Sequence, residues 1–265
     1  MTTLTLNDGR AMPQLGMGTW QIADGQAAAI VRRGLDTGYR LVDTAAIYGN
    51  ERGVGDGYKG ADAFLTTKLW NDAQGRAEAA LDESLALLGL DAVDLYLMHW
   101  PAPGQGRFVD AWKAMIALRD AGKARSIGVS NFLPAHLDAI IDATGVTPVV
   151  NQIELHPHFQ QREGRAYHEA HGIVTQSWSP IGQGKGLLDD ERIGRIAAKH
   201  ARSAAQVVIA WHLAKGLSVI PKASSAEHLS DNFAAQDLTL DDEDIAAIDA
   251  MDDAGGRIGP HPDSM

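Results

Sequence analysis

The sequence contains no cysteine in its 265 residues, and it is poor in basic residues. The lack of cysteine excludes disulfide frameworks, thiolate metal sites and cysteine nucleophiles. Lysine and arginine number 23 against 34 aspartate and glutamate residues, which gives a formal net charge of −11 at pH 7. That excess of negative charge disfavours nonspecific binding to nucleic acid or anionic membranes, while a local pocket for a small anion remains open.

Long apolar runs are also absent. No stretch of 18 consecutive apolar residues occurs, and the first residues lack a basic segment followed by an apolar one. We therefore expect no membrane span and no signal peptide, and we predict a cytoplasmic protein. No linker-like stretch divides the chain, and 45% hydrophobic residues suffice for one large core, which predicts a single domain over residues 1–265.

Eight apolar segments of β-strand character alternate with amphipathic helical stretches. These segments are QLGMGTW, YRLVDTA, AFLTTKL, VDLYLMH, ARSIGVSN, PVVNQIEL, IVTQSWS and LSVIPKA. Ahead of them, Asp8 and Gly9 between two alternating runs predict an N-terminal β-hairpin. Buried strands separated by helices are typical of parallel βαβ units. Eight such units predict an α/β fold, a closed (β/α)8 TIM barrel, and the alternative is a doubly wound open sheet.

Polar side chains occupy the last positions of most of these strands, where a (β/α)8 barrel carries its active site. They are Asp43, Lys68, His99, Ser130, Asn131, Gln152, Glu154, Ser179 and Lys222, with Trp178 beside them. Two of these residues also have a purely structural interpretation. Asp43 is suited to capping a turn, and His99 is suited to packing as a core histidine. Seven strands that end in this way indicate a functional site, because buried polar groups need partners or a purpose.

Tyr48 follows Asp43 by only five residues and falls in the loop after that strand. Tyrosine has a pKa of about 10, and a neighbouring ammonium such as Lys68 is expected to lower that pKa and make the phenol an efficient proton donor. Asp43 is the expected counter-ion of Lys68, and His99 is suited to orienting a carbonyl oxygen. The constellation indicates protonation of a carbonyl oxygen while hydride arrives from a cofactor, because no side chain carries hydride.

Several stretches resemble the signatures of the aldo-keto reductase family. GYRLVDTAAIYGNERGVG at 38–55 is similar to the first signature and RSIGVSNF at 125–132 to a second, and NQIELHP, QSWSPIGQG and VIPKA follow in the family's order. The resemblance covers nearly the whole chain and points to the bacterial branch similar to 2,5-diketo-D-gluconic acid reductases. It implies a monomer that reduces aldehydes or ketones with NADPH or NADH, among them α-dicarbonyls, keto sugars and small aldehydes.

The resemblance also implies roles for individual residues. Tyr48 is expected to be the general acid, with Asp43 and Lys68 tuning it and His99 orienting the substrate carbonyl. The implied cofactor-binding residues are Ser130, Asn131, Gln152, Trp178, Ser179, Lys222, Ser224, Ser225, His228 and Asn232. The implied walls of the substrate pocket are Trp20, Ile47, Trp70 and Trp100, and core packing explains any single one of these tryptophans equally well.

Two segments depart from the family's pattern. The stretch between Tyr48 and Lys68 is shorter than in the family and is rich in glycine, which predicts a truncated or irregular second helix. Its glycines are Gly53, Gly55, Gly57 and Gly60. Ala223 and His228 stand where NADPH-selective members have Ser or Thr and Arg. We therefore expect weak discrimination between NADPH and NADH, because a guanidinium binds phosphate better than a neutral imidazole does.

The sequence supports other functional classes less well. A metal-dependent barrel hydrolase favours a pair of histidines on an early strand. The first β segment ends GMGTWQ and contains no histidine, and the only close pair is HPH at 156–158. We therefore expect no catalytic metal. GVGDGYKG lacks the spacing of a Rossmann dinucleotide motif. The remaining alternative is a regulatory module that binds nucleotide without turnover. The glycine-rich C-terminal tail, GGRIGPHPDSM, is expected near the barrel mouth.

Overall fold

The computed structural model describes residues 2–265, and it begins with the predicted hairpin. In this hairpin β1 (Thr3–Thr5) pairs antiparallel with β2 (Ala11–Pro13). Met12 is fully buried in a cluster with Leu41 and Val150, which are residues at the beginnings of barrel strands. The hairpin therefore covers the end of the barrel at which the strands begin.

The next eight strands form a single parallel sheet. They are β3 (Met17–Gly18), β4 (Leu41–Asp43), β5 (Phe64–Leu69), β6 (Val93–Met98), β7 (Ala124–Ser130), β8 (Val150–Glu154), β9 (Val174–Trp178) and β10 (Ser218–Val219). Each strand pairs with its neighbour in sequence, and bridges from Leu15 to Val219 and from Gly18 to Lys222 join the first strand region to the last. The sheet closes on itself. The predicted barrel is confirmed, and the open doubly wound sheet is wrong.

Ten α-helices within residues 2–265 lie around this barrel. They are α1 (Asp24–Thr37), α2 (Glu51–Tyr58), α3 (Ala77–Leu88), α4 (Phe108–Asp120), α5 (Pro134–Thr144), α6 (Arg162–Ala170), α7 (Glu191–His200), α8 (Ala204–Ala214), α9 (Ala226–Phe233) and α10 (Asp242–Asp249). Trp112 of α4 and Tyr96 of β6 are fully buried in the layer between helices and strands. No helix in residues 2–265 is both long and apolar enough to cross a membrane.

The second helix is truncated rather than irregular, which confirms the first of the two predicted alternatives, because α2 is a continuous helix of 8 residues. Its glycines face the neighbouring helices. A Cβ atom on Gly55 would lie 2.3 Å from the backbone oxygen of Leu88 in α3, and one on Gly57 would lie 2.5 Å from the backbone oxygen of Ala28 in α1. Glycine weakens a helix by about 1 kcal/mol relative to alanine, and here that cost allows close backbone packing.

Candidate active site

A buried ion pair lies at the ends of β4 and β5. Lys68 is 0% exposed, and its Nζ lies 2.6 Å from Oδ1 of Asp43. The same ammonium donates a hydrogen bond of 2.8 Å to the backbone oxygen of Thr44, a contact that the sequence did not suggest. Burial lowers the pKa of Lys68 and raises the pKa of Asp43, while their mutual attraction opposes both shifts. Parallel pairing of β4 with β5 thus places the predicted counter-ion where Lys68 needs it.

Tyr48 closes the short 3-10 turn Ala46–Tyr48 that follows β4. Its hydroxyl oxygen lies 3.5 Å from Nζ of Lys68. Burial first, and the negative charge of Asp43 second, raise the pKa of Tyr48 well above its usual value of 10. The net shift of the Tyr48 pKa is therefore opposite to the expected lowering, because burial and Asp43 outweigh the stabilisation that Lys68 gives the phenolate. The phenol is therefore fully protonated at neutral pH, which is the state of a proton donor.

His99 follows β6 and faces the same cluster. Its ring centroid lies 5.9 Å from that of Tyr48 and 5.1 Å from that of Trp70, with edge-on geometry in both pairs. Burial first, and the charge of Lys68 second, lower the pKa of His99 well below 6.5. The imidazole is therefore neutral at pH 7, a state in which it is able to donate one hydrogen bond and to accept another. The structure brings all four predicted catalytic residues together.

A second polar cluster lies across the ends of β7, β8 and β9. Ser130 Oγ donates to the backbone oxygen of Gln152 at 2.7 Å, and Asn131 Nδ2 donates to Ser130 Oγ at 3.0 Å. Asn131 Nδ2 also donates to the backbone oxygen of His99 at 3.0 Å, and Trp178 Nε1 donates to Asn131 Oδ1 at 2.8 Å. Asn131 has a positive φ of 62°, a conformation that asparagine adopts more readily than most residues. These four predicted cofactor residues form one hydrogen-bonded group beside the catalytic cluster.

Gln152 connects the two clusters. Its Nε2 donates to Asp43 Oδ2 at 2.7 Å and to Gln176 Oε1 at 2.6 Å, and Gln176 Nε2 donates to Ser218 Oγ at 2.9 Å. An ionised carboxylate only accepts hydrogen bonds, so Asp43 fixes which end of the Gln152 amide faces it. Sequence reasoning missed Gln176 and Ser218. The available signal was that each is a polar residue inside a predicted β segment.

The segment after β10 offers donors suited to a phosphate. Ser225 caps α9, where its hydroxyl oxygen accepts a 3.1 Å hydrogen bond from the backbone nitrogen of His228. Ser224, Ser225 and His228 are exposed beside this helix N-terminus, and Lys222 is half-buried next to them in the chain. Backbone N–H groups and the helix dipole favour anions at such a position. Asn232, by contrast, is 3% exposed.

The loop after β9 begins at Ser179, whose backbone has a positive φ of 50°. The side-chain amide of Gln183 donates a hydrogen bond to the hydroxyl of Ser179. This contact joins the beginning of the loop to the short 3-10 turn Gly182–Gly184. Ser179 is half-buried directly beside Trp178.

The four predicted pocket residues differ in exposure. Trp20 and Ile47 are among the few exposed large apolar side chains, with 41% and 49% of their surfaces accessible. Trp70 is half-buried and contacts the edge of His99. Trp100 is 7% exposed, so its side chain contributes mainly to packing. Trp20 follows β3 and Ile47 precedes Tyr48, so both lie on loops at the ends of the strands.

The C-terminal tail reaches the same end of the barrel, as predicted. The carboxylate of Glu154 accepts hydrogen bonds from the backbone nitrogens of Ile258 and Gly259. Further along, Asp263 Oδ1 lies 3.0 Å from His136 Nε2 at the beginning of α5. The sequence placed Glu154 at the end of a strand but gave it no partner, because nothing local to either segment relates them.

The histidines at 156–158 pair with carboxylates. His156 Nε2 lies 3.2 Å from Glu154 Oε1, and His158 Nε2 lies 3.6 Å from Asp190 Oδ2. In the part of the chain that the structure describes, no three His, Asp or Glu side chains are grouped so that they could hold a metal ion.

Comparison with known proteins gives consistent results. The profile of the Aldo/keto reductase family matches residues 14–253. Methylglyoxal reductase DkgA of Salmonella typhimurium is 49% identical over 270 residues, which is 100% of this chain and 98% of the relative. The protein of the same name from Escherichia coli K12 is 48% identical over 270 residues, with the same coverage of 100% and 98%.

Solved structures agree with these relatives. A crystal structure of a Gox0644 point mutant in complex with NADPH superimposes with a TM-score of 0.97 and 50% sequence identity, covering 100% of this chain and 98% of that one. The apo form of Gox0644 has a TM-score of 0.96 at 50% identity, covering 98% and 97%. The barrel and the ends of its strands are therefore similar to an architecture known from crystals.

Proposed function

The chain belongs to the aldo/keto reductase family, and we propose that it uses NADPH to reduce small aldehydes and ketones, α-dicarbonyls such as methylglyoxal foremost. The observation that carries this proposal is the convergence of Tyr48, Lys68, Asp43 and His99 at one end of the barrel. The names of the DkgA relatives support the substrate class. Keto sugars such as 2,5-diketo-gluconate are the second substrate candidate, because the side chains of Trp20 and Ile47 are exposed and offer apolar surface to a larger substrate.

Tyr48 is the proton donor of this proposal. Its raised pKa keeps the phenol protonated until a carbonyl oxygen gains negative charge. Lys68, at 3.5 Å, then stabilises the phenolate that remains after proton transfer. Asp43 holds Lys68 in position, and the neutral imidazole of His99 donates a hydrogen bond that orients the carbonyl oxygen.

The residues present fit a nicotinamide dinucleotide, which supplies hydride to the carbonyl carbon when it is bound. Ser130, Asn131 and Gln152 supply hydroxyl and amide groups for a carboxamide, and the half-buried Trp178 indole offers a stacking face. Lys222, Ser224, Ser225 and His228, together with the N-terminus of α9, supply donors for the adenosine 2′-phosphate.

The test follows the loss of NADPH absorbance when the purified protein is mixed with methylglyoxal, a keto sugar or a short aldehyde, with and without a chelator. We expect turnover that the chelator does not affect. Binding of NADPH without turnover of any carbonyl in a broad panel would favour the regulatory module. Turnover that chelation abolishes would favour a metal enzyme instead.

A further inference from the structure

The C-terminal tail contacts the indole that the proposed function assigns to the nicotinamide. A Cβ atom on Gly259 would lie 2.6 Å from Cη2 of Trp178 and 3.1 Å from Oε2 of Glu154. Real Cβ atoms essentially never approach other atoms as closely as 2.6 Å, so a larger residue at position 259 would require the indole of Trp178 or the tail itself to shift. The backbone of Gly259 therefore packs on the Cζ2–Cη2 edge of the benzene ring of the indole, whose Nε1 atom is held by Asn131.

Glu154 holds this segment of the tail in place. Its side chain is 1% exposed, and its carboxylate accepts from the backbone nitrogen of Ile258, from that of Gly259 at 2.8 Å, and from Nε2 of His156 at 3.2 Å. A buried carboxylate without such donors is strongly unfavourable. Charge-assisted hydrogen bonds to backbone N–H groups are among the stronger ones in proteins. The hydrogen bonds from the backbone nitrogens of Ile258 and Gly259 define the register of the tail against the end of β8.

The rest of the tail continues away from this anchor to a second one. Pro262 is buried, and the 3-10 turn Pro262–Ser264 lies against the turn Pro103–Gln105 that follows β6. Asp263 pairs with His136. Gly259 thus belongs to the first anchor, and the second anchor fixes the chain three to five residues further on.

We propose that Glu154 and Gly259 are positioning residues that hold the C-terminal tail against Trp178 and so fix the orientation of the indole on which the nicotinamide stacks. The indole is held at its Nε1 by Asn131 and at its benzene edge by Gly259. Release of the tail leaves only the first restraint. The inference rests on the proposed function for the role of Trp178, whereas the contact of tail and indole is independent of turnover.

The experiment compares Glu154→Gln and Gly259→Ala with two matched controls. Glu163→Gln makes the same chemical change at an exposed position of α6. Gly255→Ala adds a methyl group in the same tail, where the nearest atom, Oδ1 of Asp253, is at an ordinary 3.5 Å. Glu154→Gln replaces one acceptor oxygen by an NH2 group, which faces a backbone donor instead of accepting from it.

The first measurement is ¹⁹F NMR of protein labelled with 5-fluorotryptophan, without cofactor, with the Trp178 signal assigned by Trp178→Phe. We expect the Trp178 signal to shift or broaden in Glu154→Gln and Gly259→Ala, and to stay unchanged in both controls. Amide exchange at 258–259 should become at least tenfold faster in Glu154→Gln. Gly259→Ala tests the contact without removing a buried charge, so it decides the question if Glu154→Gln does not fold.

The second measurement is the NADPH dissociation constant by calorimetry. We expect a loss of about tenfold, or 1.4 kcal/mol, in each single variant. The double variant Glu154→Gln with Gly259→Ala should bind NADPH no more weakly than the weaker-binding single variant, because both changes release the same segment. An unchanged Trp178 signal, or NADPH binding within twofold of wild type in both variants, would overturn the inference. Absence of wild-type turnover would instead overturn the proposed function, and the NMR result would still stand.

Discussion

Nζ of Lys68 lies 3.5 Å from the hydroxyl oxygen of Tyr48 and 5.1 Å from the centroid of its ring. The ammonium is therefore placed where it stabilises a phenolate more than a phenol. Its charge is balanced by Asp43 at 2.6 Å while the phenol is protonated. This relationship separates two properties of the site, the protonation of Tyr48 at rest and the stability of its anion after proton transfer.

Replacement of Tyr48 by Phe removes the proton donor and leaves the ring in place. We expect turnover of methylglyoxal to fall by at least about 10²-fold, because a positioned general acid contributes at least that much. The NADPH dissociation constant should stay within twofold of wild type. Steady-state rates and calorimetry measure the two quantities, and more than a tenth of wild-type turnover would remove Tyr48 from this role.

Replacement of Lys68 by Met removes the ammonium and leaves Asp43 buried without its counter-ion. We expect turnover to fall severely and the free energy of unfolding to drop by about 3 kcal/mol or more, because an unpaired buried charge is strongly destabilising. The double variant Lys68→Met with Asp43→Asn should regain much of that stability in urea unfolding, but none of the turnover. Equal rates for the double variant and the wild type would contradict the assigned chemistry.

Replacement of His228 by Arg adds a fixed positive charge and five N–H donors beside the N-terminus of α9. We expect NADPH to bind about 10- to 100-fold more tightly, since hydrogen bonds to charged groups are worth about 1.5–3 kcal/mol. NADH lacks the 2′-phosphate, and its affinity should change little. Ser230→Arg, an exposed position further along α9, is the matched control. Equal gains for both cofactors would mean that position 228 does not face the 2′-phosphate.

Replacement of Gly55 by Ala places a methyl group 2.3 Å from the backbone oxygen of Leu88. Because backbone atoms cannot move aside cheaply, we expect a loss of about 1–3 kcal/mol in the free energy of unfolding, despite the better helix propensity of alanine. Gly25→Ala in the first turn of α1 is the control, since nothing lies within 4 Å of its Cβ. The control should be neutral or stabilising by up to about 1 kcal/mol. Similar behaviour of both variants in urea would refute the close packing of α2.

The family, the eight-stranded barrel and its N-terminal hairpin could all be predicted from the sequence. The alternation of β and helical segments can be read from the local pattern of apolar residues. In any (β/α)8 barrel the carboxyl ends of the strands lie on the same side. Asp43 and Tyr48 were recognised as a pair for the same reason, because one strand end and its following loop carry both. The single domain, the monomeric state and the cytoplasmic location remain predictions.

The sequence by itself determined which residue types stand at the strand ends, because that information is local. Only the tertiary structure decided which of them touch. Gln176 meets Gln152, and Glu154 meets Gly259 more than a hundred residues away, because closure of the sheet and the path of the tail bring them together. It also decided the direction in which the pKa of Tyr48 moves, since that direction depends on how burial and the charges of Asp43 and Lys68 balance at particular distances.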